Sequence, residues 1–356
     1  MKILVVVELY FHKNKSGGEA YLHHFLKKIK EYTEATINIL IPNKEEDKKY
    51  DFEGIIINEV LESDEELDSY ILEADILVSQ LMLSPTVIKY SDKYKKPLIW
   101  LLHGFFEGFT KFMKNNKIIK IFNSKNVLVD FSNKSNYNIQ NYHIIYPFTD
   151  FDKLSKFKDK EIERREYITF INPVQNKGAE LVIQIAKKNL KRKFLIVEGG
   201  YSHQEQKQYL TEFRNLSNCH IIKNTNDIIN EIYLKSRIVL MPSKYESYGM
   251  VASEASCLGI PVIINREAKG LNENLGKLSL GGHDHDFKSY QRIIESLDIF
   301  ENYFMWSHHY FDLSEERKDE IEFQFETFLE SHFTLSQNQT INLKFETDEP
   351  NSTPID

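Results

Sequence analysis

Two carboxylates eight residues apart, Glu246 and Glu254, are the residues of this chain best spaced to do chemistry. They lie in the stretch 238–265, which carries a full set of start and stop signals. Residues 238–241 (IVLM) form an apolar run of strand length, Pro242 ends it, and 243–247 is a polar loop. A helix then begins near Tyr248 or Gly249 and closes at Gly259, and the next strand, 262–264, follows Pro261. Eight residues are about two helical turns, so both acids can face one crevice at different depths. One would stand near a reacting group and the other near a distal polar group such as a ribose. The plain alternative is an exposed loop Glu and an exposed helix Glu, since Glu is rarely buried. In a parallel sheet the ligand crevice lies outside the carboxyl ends of the strands, where this loop falls. The helix start at Ser247, Tyr248, Gly249 and Met250 offers free N–H groups and a positive dipole end, which suit a phosphate.

Other candidates sit in the same topological position. Lys177-Gly178 ends the loop 172–178 (NPVQNKG), between an apolar run at 167–171 and a helical pattern at 179–188. Gly17-Gly18 separate the first apolar run, 2–9 (KILVVVEL), from a helix carrying Ala20, Leu22, Phe25, Leu26 and Ile29. A Gly pair lets backbone approach a ligand, and it serves a plain turn equally well. His103 closes the strand 97–102 (PLIWLL), where a structural role and a ligand contact are both open.

These residues resemble the donor-binding motifs of retaining glycosyltransferases of family 4 (glycosyl transferases group 1), a GT-B family. Its pattern is P-S, a short loop, E, seven residues, E-A, then G-x-P-V. Here it reads Pro242-Ser243, Glu246, Glu254-Ala255, Gly259-Ile260-Pro261-Val262. Gly17-Gly18 resembles the family's G-G-x-E/A loop, and 172–178 resembles its G-R-x-x-x-x-K-G loop, with Asn172 where the Arg stands. Asn can donate hydrogen bonds and carries no charge. The segment Gly270-Leu271-Asn272-Glu273 resembles the G-x-x-E that closes the donor site, and Glu273 could equally cap a helix.

The resemblance implies an α/β protein of GT-B architecture, two doubly wound Rossmann-like domains facing across a cleft, with C-terminal helices returning to the first. It implies sugar transfer from a nucleotide-sugar to an acceptor hydroxyl with retention of configuration, in glycan or cell-surface polysaccharide biosynthesis. Glu246 would hold donor-sugar hydroxyls, Glu254 the ribose, Lys177 the diphosphate, and His103 the sugar or acceptor. Gly17, Gly18, Asn172, Ser247, Tyr248, Gly249 and Met250 would line the donor, with Asn224 and Thr225 near the base. The acceptor would be a glycan, a lipid-linked sugar or a protein. No metal or other cofactor is expected, because no acidic metal site is visible and Asp284 and Asp286 around His285 read as a surface turn. The rivals are a GT-B module that binds nucleotide-sugar or glycan with low activity, and another GT-B enzyme such as a nucleotide-sugar epimerase. A dinucleotide-dependent dehydrogenase would need a G-x-G-x-x-G after Val7, which is absent.

The elements that must position these residues set the domain plan. At 356 residues two domains are expected. They are 1–149 on the acceptor side, a charged linker 150–166, and a nucleotide-sugar domain 167–305. A helix at 306–333 and a polar tail 334–356, disordered or a short edge strand, complete the chain. Strands are expected at 36–41, 54–57, 76–78, 118–122, 194–197 and 220–223. Residues 45–49 and 62–68 read as charged loops or helix ends. Helices are expected at 227–236, 287–297 and 315–333. The net charge of −8 argues against nucleic-acid binding. Cys219 and Cys257 have neither metal-ligand nor redox spacing, and the chain reads as a cytoplasmic protein with reduced thiols. No apolar run approaches the ~20 residues of a membrane span, and no signal peptide precedes the first strand. Residues 105–120 place Lys111, Lys114, Lys117 and Lys120 at three-residue spacing among Phe and Met. As a helix this segment would be either a solvated basic surface or a peripheral contact with the inner face of an anionic membrane.

Overall fold

A computed structural model describes residues 1–335 and 341–343, except 12, 14–15, 44–47, 62–63, 136, 159, 161, 201, 277–278 and 285. Its first half runs β1 (Lys2–Val6), α1 (Gly17–Tyr32), β2 (Thr36–Asn43), β3 (Lys48–Phe52), β4 (Ile55–Leu61), α2 (Asp64–Glu73) and β5 (Ile76–Gln80). It continues α3 (Ser84–Tyr94), β6 (Leu98–Leu102), β7 (Ile118–Phe122), α4 (Lys125–Ser135) and β8 (Tyr142–Ile144). These strands make one eight-stranded sheet ordered β3-β4-β2-β1-β5-β6-β7-β8. Every pair is parallel except β3 with β4.

After α5 (Phe151–Leu154) the second half runs β9 (Tyr167–Ile171), α6 (Ala179–Lys188), β10 (Lys193–Val197), α7 (His203–Arg214), β11 (Cys219–Ile222), α8 (Ile228–Glu231) and β12 (Ser236–Met241). Next come α9 (Met250–Cys257), β13 (Val262–Asn265), α10 (Lys269–Leu275), β14 (Gly281–Gly282), α11 (Phe287–Ser296) and α12 (Phe300–His332). Six parallel strands are ordered β11-β10-β9-β12-β13-β14. A sheet covered by helices on both faces needs strands that are apolar throughout, and IVLM, VIIN and LIWLL are that kind of run. A short antiparallel pair, β15 (Phe333–Leu335) with β16 (Ile341–Leu343), ends the described chain.

One helix ties the two sheets together. The Tyr310 hydroxyl on α12 donates to the Val262 carbonyl at 2.7 Å and accepts from Leu280 N at 3.0 Å, in the second sheet's core. Further along, Ile321, Phe325, Phe328 and Leu329 enter the core of the first sheet, and Phe325 meets Phe25 edge-on at 5.6 Å. The expected helix at 315–333 is thus the second half of a longer element. Where the chain passes from one sheet to the other, Arg165 is buried and donates to the carbonyls of Leu258 (3.0 Å), Phe157 (2.8 Å) and Lys158 (2.8 Å).

Several expectations are corrected. Residues 105–120 do not form a basic helix. Glu107–Phe112 is a short 3-10 turn, and Lys120 belongs to β7. Its ammonium is buried against the carbonyls of Asn115 (2.7 Å), Ile118 (3.2 Å) and Gln140 (3.1 Å), and burial holds its pKa down at about 8. The four-lysine stripe therefore does not exist. Of the two charged segments, Lys48 and Lys49 open the antiparallel edge strand β3 rather than a loop or helix end, whereas 64–68 is the first part of α2, in keeping with a helix end; 45–47 and 62–63 lie outside the described residues. The expected helix at 227–236 is one turn, α8, followed by a 3-10 turn. His285 and most of the tail, 336–340 and 344–356, lie outside the described residues. Among those described, no helix is long and apolar enough to cross a membrane.

Candidate active site

The loop after β12 is built by packing that only small residues permit. Gly178 has φ +82°, and a Cβ there would stand 2.6 Å from the Pro242 carbonyl oxygen, so the 172–178 loop can lie directly on the loop holding Glu246. Backbone bonds lock the two: Lys244 N donates to Asn176 O at 2.8 Å. On the other side Gly270 of α10 fits against the Glu246 and Ser247 carbonyls. Asn265 Nδ2 donates to Ser243 O at 3.2 Å. Asn274 Nδ2 donates to the carbonyls of Tyr248 (3.2 Å) and Gly249 (3.1 Å), just ahead of α9.

This scaffold brings Lys177 and Glu246 together although 69 residues separate them. Lys177 Nζ donates to Glu246 Oε1, and Ser243 Oγ donates to the same oxygen at 2.9 Å. The pair is mostly shielded, with side chains 20% and 12% exposed. Gly249, at φ +96°, turns the chain into α9, whose Ala252 N already donates to Gly249 O at 2.9 Å, so the N–H groups at the very start of the helix, those of Met250 and Val251, are the ones that point out of its end. Across the cleft stands the first turn of α1: a Cβ on Gly17 would lie 3.7 Å from Met250 Cγ. Gly18 lies under the His103 ring, whose Cε1 would be 2.6 Å from a Cβ there. Only glycine leaves room for that ring. Burial keeps the His103 imidazole neutral by lowering its pKa to about 4.

Glu254 lies about one turn into α9, half-buried. The Tyr233 hydroxyl, itself buried, donates to its Oε2. Burial raises the Glu254 pKa, and the Tyr233 hydrogen bond opposes that rise. Asn172 is 5% exposed, with φ +61° just past β9. Its amide packs on Gly199, and neither polar atom has a hydrogen-bond partner among the described residues.

The remaining candidates scatter. The Tyr248 ring leaves the crevice for the first sheet's core and stacks on Tyr146 at 4.9 Å, so only its backbone can line a donor. Ser247 Oγ accepts from Asn123 Nδ2 at 3.1 Å, a bond between the two halves. Asn224 and Thr225 follow the edge strand β11, two strands from β9, and Thr225 Oγ1 is taken by Asp227 N at 3.1 Å. Glu273 does not face the donor side. Its carboxylate accepts from Lys125 N (2.6 Å) and Asn126 N (2.8 Å) at the N-terminus of α4, in the other half of the molecule.

Sequence reasoning missed Tyr233, Asn265, Asn274, Gln80 and Asn123. Gln80, Asn123 and Asn265 stand at strand ends, as His103 does, and that placement is a usable signal. Tyr233 and Asn274 act through partners 21 or more residues away, which local pattern does not encode.

Residues 152–302 match the family model described as glycosyl transferases group 1. Among solved structures, a glycosyltransferase from Rickettsia africae superposes with a TM-score of 0.74 at 16% identity, covering 93% of this chain and 97% of that one. Anabaena HepE in complex with UDP-glucose gives 0.73 at 16% identity, covering 93% and 100%. The trehalose 6-phosphate synthase of Burkholderia multivorans gives 0.68 at 9%, covering 93% and 96%. The fold is the GT-B glycosyltransferase architecture, two parallel α/β sheets joined by a returning helix.

Proposed function

We propose that the protein is a retaining glycosyltransferase that uses a nucleotide-sugar donor and acts in glycan or polysaccharide synthesis. The observation that carries this reading is the meeting of Lys177, Glu246 and the start of α9 in one loop cluster, opposite Gly17 and His103. In such a transfer the bond from the anomeric carbon to the diphosphate oxygen breaks, its electrons leave with the diphosphate, and the acceptor hydroxyl oxygen bonds that carbon while its proton passes to the departing diphosphate. Negative charge grows on the phosphates, so preorganised positive groups lower the barrier. Lys177 and the α9 N–H groups are suited to that task, and with them the reaction needs no bound metal.

Lys177 forms an ion pair with Glu246. A bound diphosphate would compete for the ammonium and release the Glu246 carboxylate to accept from sugar hydroxyls. Glu254 would accept from the ribose. Asn172, without charge and packed on Gly199, leaves Lys177 as the cation of this loop.

Calorimetry with UDP and UDP-glucose is the first test, because UDP-glucose is the ligand named in the HepE complex. Lys177→Ala should lower kcat for transfer or for slow donor hydrolysis by ~10²–10³-fold, with a smaller change in donor affinity. Wild-type turnover in that variant would remove Lys177 from the diphosphate. Nucleotide-sugar binding with no turnover on any acceptor or water would favour a binding module instead.

A further inference from the structure

Two consecutive side chains at the start of α7, a helix outside the loop cluster of the candidate site, hold the loops after β9 and β10. The buried residues of α7, Gln206, Tyr209, Leu210 and Phe213, recur at i, i+3, i+4 and i+7, the stripe that faces the core of the second sheet. An apolar residue at the head of that stripe would serve packing alone; Gln206 puts an amide there, 1% exposed. The amide grips one residue from both sides. Gly199 N donates to its Oε1 at 2.8 Å, and its Nε2 donates to Gly199 O at 3.2 Å. Gly199 in turn lies against Asn172 at the root of the 172–178 loop, where a Cβ on Gly199 would stand 2.4 Å from Asn172 Oδ1.

Glu205, the residue before Gln206, is exposed, and its Oε1 accepts from Gln175 N at 2.7 Å, 30 residues back in the chain. A carboxylate on a backbone N–H is among the stronger hydrogen bonds. Gln175 opens the single 3-10 turn 175–177, and Lys177 closes it. Lys177 N donates to Val174 O at 3.1 Å and Gly178 N to Gln175 O at 2.9 Å. A turn this short has no slack between its first and last residues, so a displacement of Gln175 carries Lys177 with it. An exposed carboxylate adds nothing to the core. What it fixes is where the Lys177 turn stands.

We propose that Glu205 is a positioning residue for Lys177, acting through Gln175 from a helix start that Gln206 ties to Gly199. This deepens the nucleotide-sugar reading and rests on it. Charge that grows on departing phosphates is stabilised by a cation already in place, and a small misplacement of that cation costs rate. Lys177 is the cation of this loop. The charge of Glu205 and its hydrogen bond act in opposite directions. The negative charge by itself opposes phosphate binding, so its removal alone would favour the donor. Loss of the hydrogen bond would instead lower the rate.

The test compares Glu205→Ala with Glu205→Gln in the full-length chain. Gln keeps an acceptor oxygen for Gln175 N and removes the charge. The side chain is exposed, so both variants should fold. In the ligand-free protein, Glu205→Ala should speed amide hydrogen exchange at 175–178 about 10-fold, with Glu205→Gln near wild type and the strands of the second sheet unchanged. With UDP-glucose as donor, Glu205→Ala should lower kcat for hydrolysis or transfer about 10-fold with little change in KM, and Glu205→Gln should restore most of it. In a Lys177→Ala background, Glu205→Ala should lower kcat no further. Unchanged exchange at 175–178 would overturn the role. So would a Glu205→Gln enzyme as slow as Glu205→Ala, or an equal loss in the Lys177→Ala background. A wild type that neither binds UDP nor turns over UDP-glucose, with exchange at 175–178 still answering to Glu205→Ala, would count against the nucleotide-sugar reading and leave the hold on the loop standing.

Discussion

At the scale of single residues, Tyr233 gives Glu254 its character. A carboxyl driven towards its neutral form by burial is a poor acceptor for hydroxyl groups, and the Tyr233 hydrogen bond favours the ionised form. Tyr233→Phe keeps the ring and removes that bond, so the Glu254 pKa should rise further. The low-pH limb of UDP binding should then move to higher pH while affinity at the alkaline plateau changes little. Calorimetry across pH 5–8 reads this shift, and a limb that stays in place would mean that Glu254 does not titrate against nucleotide binding. The neighbouring carboxylate, Glu246, is held differently, by Lys177 and Ser243 at the surface of the crevice.

At the scale of elements, α4 and α10 meet across the cleft through one side chain. The Glu273 carboxylate accepts from two N–H groups at the start of α4, where the helix dipole also favours a negative charge. Arg317 of α12 holds the other end by donating to the Asn274 carbonyl at 2.9 Å and to that of Glu273. The arrangement is a latch between the halves. Glu273→Ala should remove an N-cap interaction of roughly 0.5–2 kcal/mol and let the halves separate. Small-angle scattering should show a larger radius of gyration for the variant, with Glu273→Gln intermediate. Equal radii would mean that Asn123–Ser247 and α12 hold the closed form without it.

For the molecule as a whole, the long crossing of α12 makes the two halves share a fate. It ends at His332, whose Nε2 lies 2.8 Å from Nε2 of His143 on β8. Burial lowers both pKa values, and His332 adds to the effect on His143, which falls to about 4. In the unfolded chain both return to about 6.5. The unfolded state therefore binds more protons as pH falls below that value, and stability drops until the folded imidazoles protonate, His143 near 4. His23 and His103, also lowered to about 4, act in the same direction. Urea midpoints should decline between pH 6.5 and 4, and His332→Asn should flatten the decline. A midpoint independent of pH over that range would show that the pair is not neutral in the folded protein.

The strand–loop–helix units were legible in the sequence because period, Pro and Gly are local signals. Pro242, Gly249 and Gly259 bracket α9, and the apolar runs of β6, β9 and β12 follow from burial on both faces. Lys177 and Glu246 were legible as candidates for the same reason, each standing just past a strand. Their contact was decided by tertiary structure, since it depends on Gly178 fitting beneath Pro242. The basic helix expected at 105–120 failed because spacing alone does not reveal that Lys120 is drawn into a sheet by three carbonyls. The partners of Glu273 and Glu254 exist only once distant strands and helices are brought side by side. Hydrogen bonds between residues far apart in the chain leave no periodic trace along it.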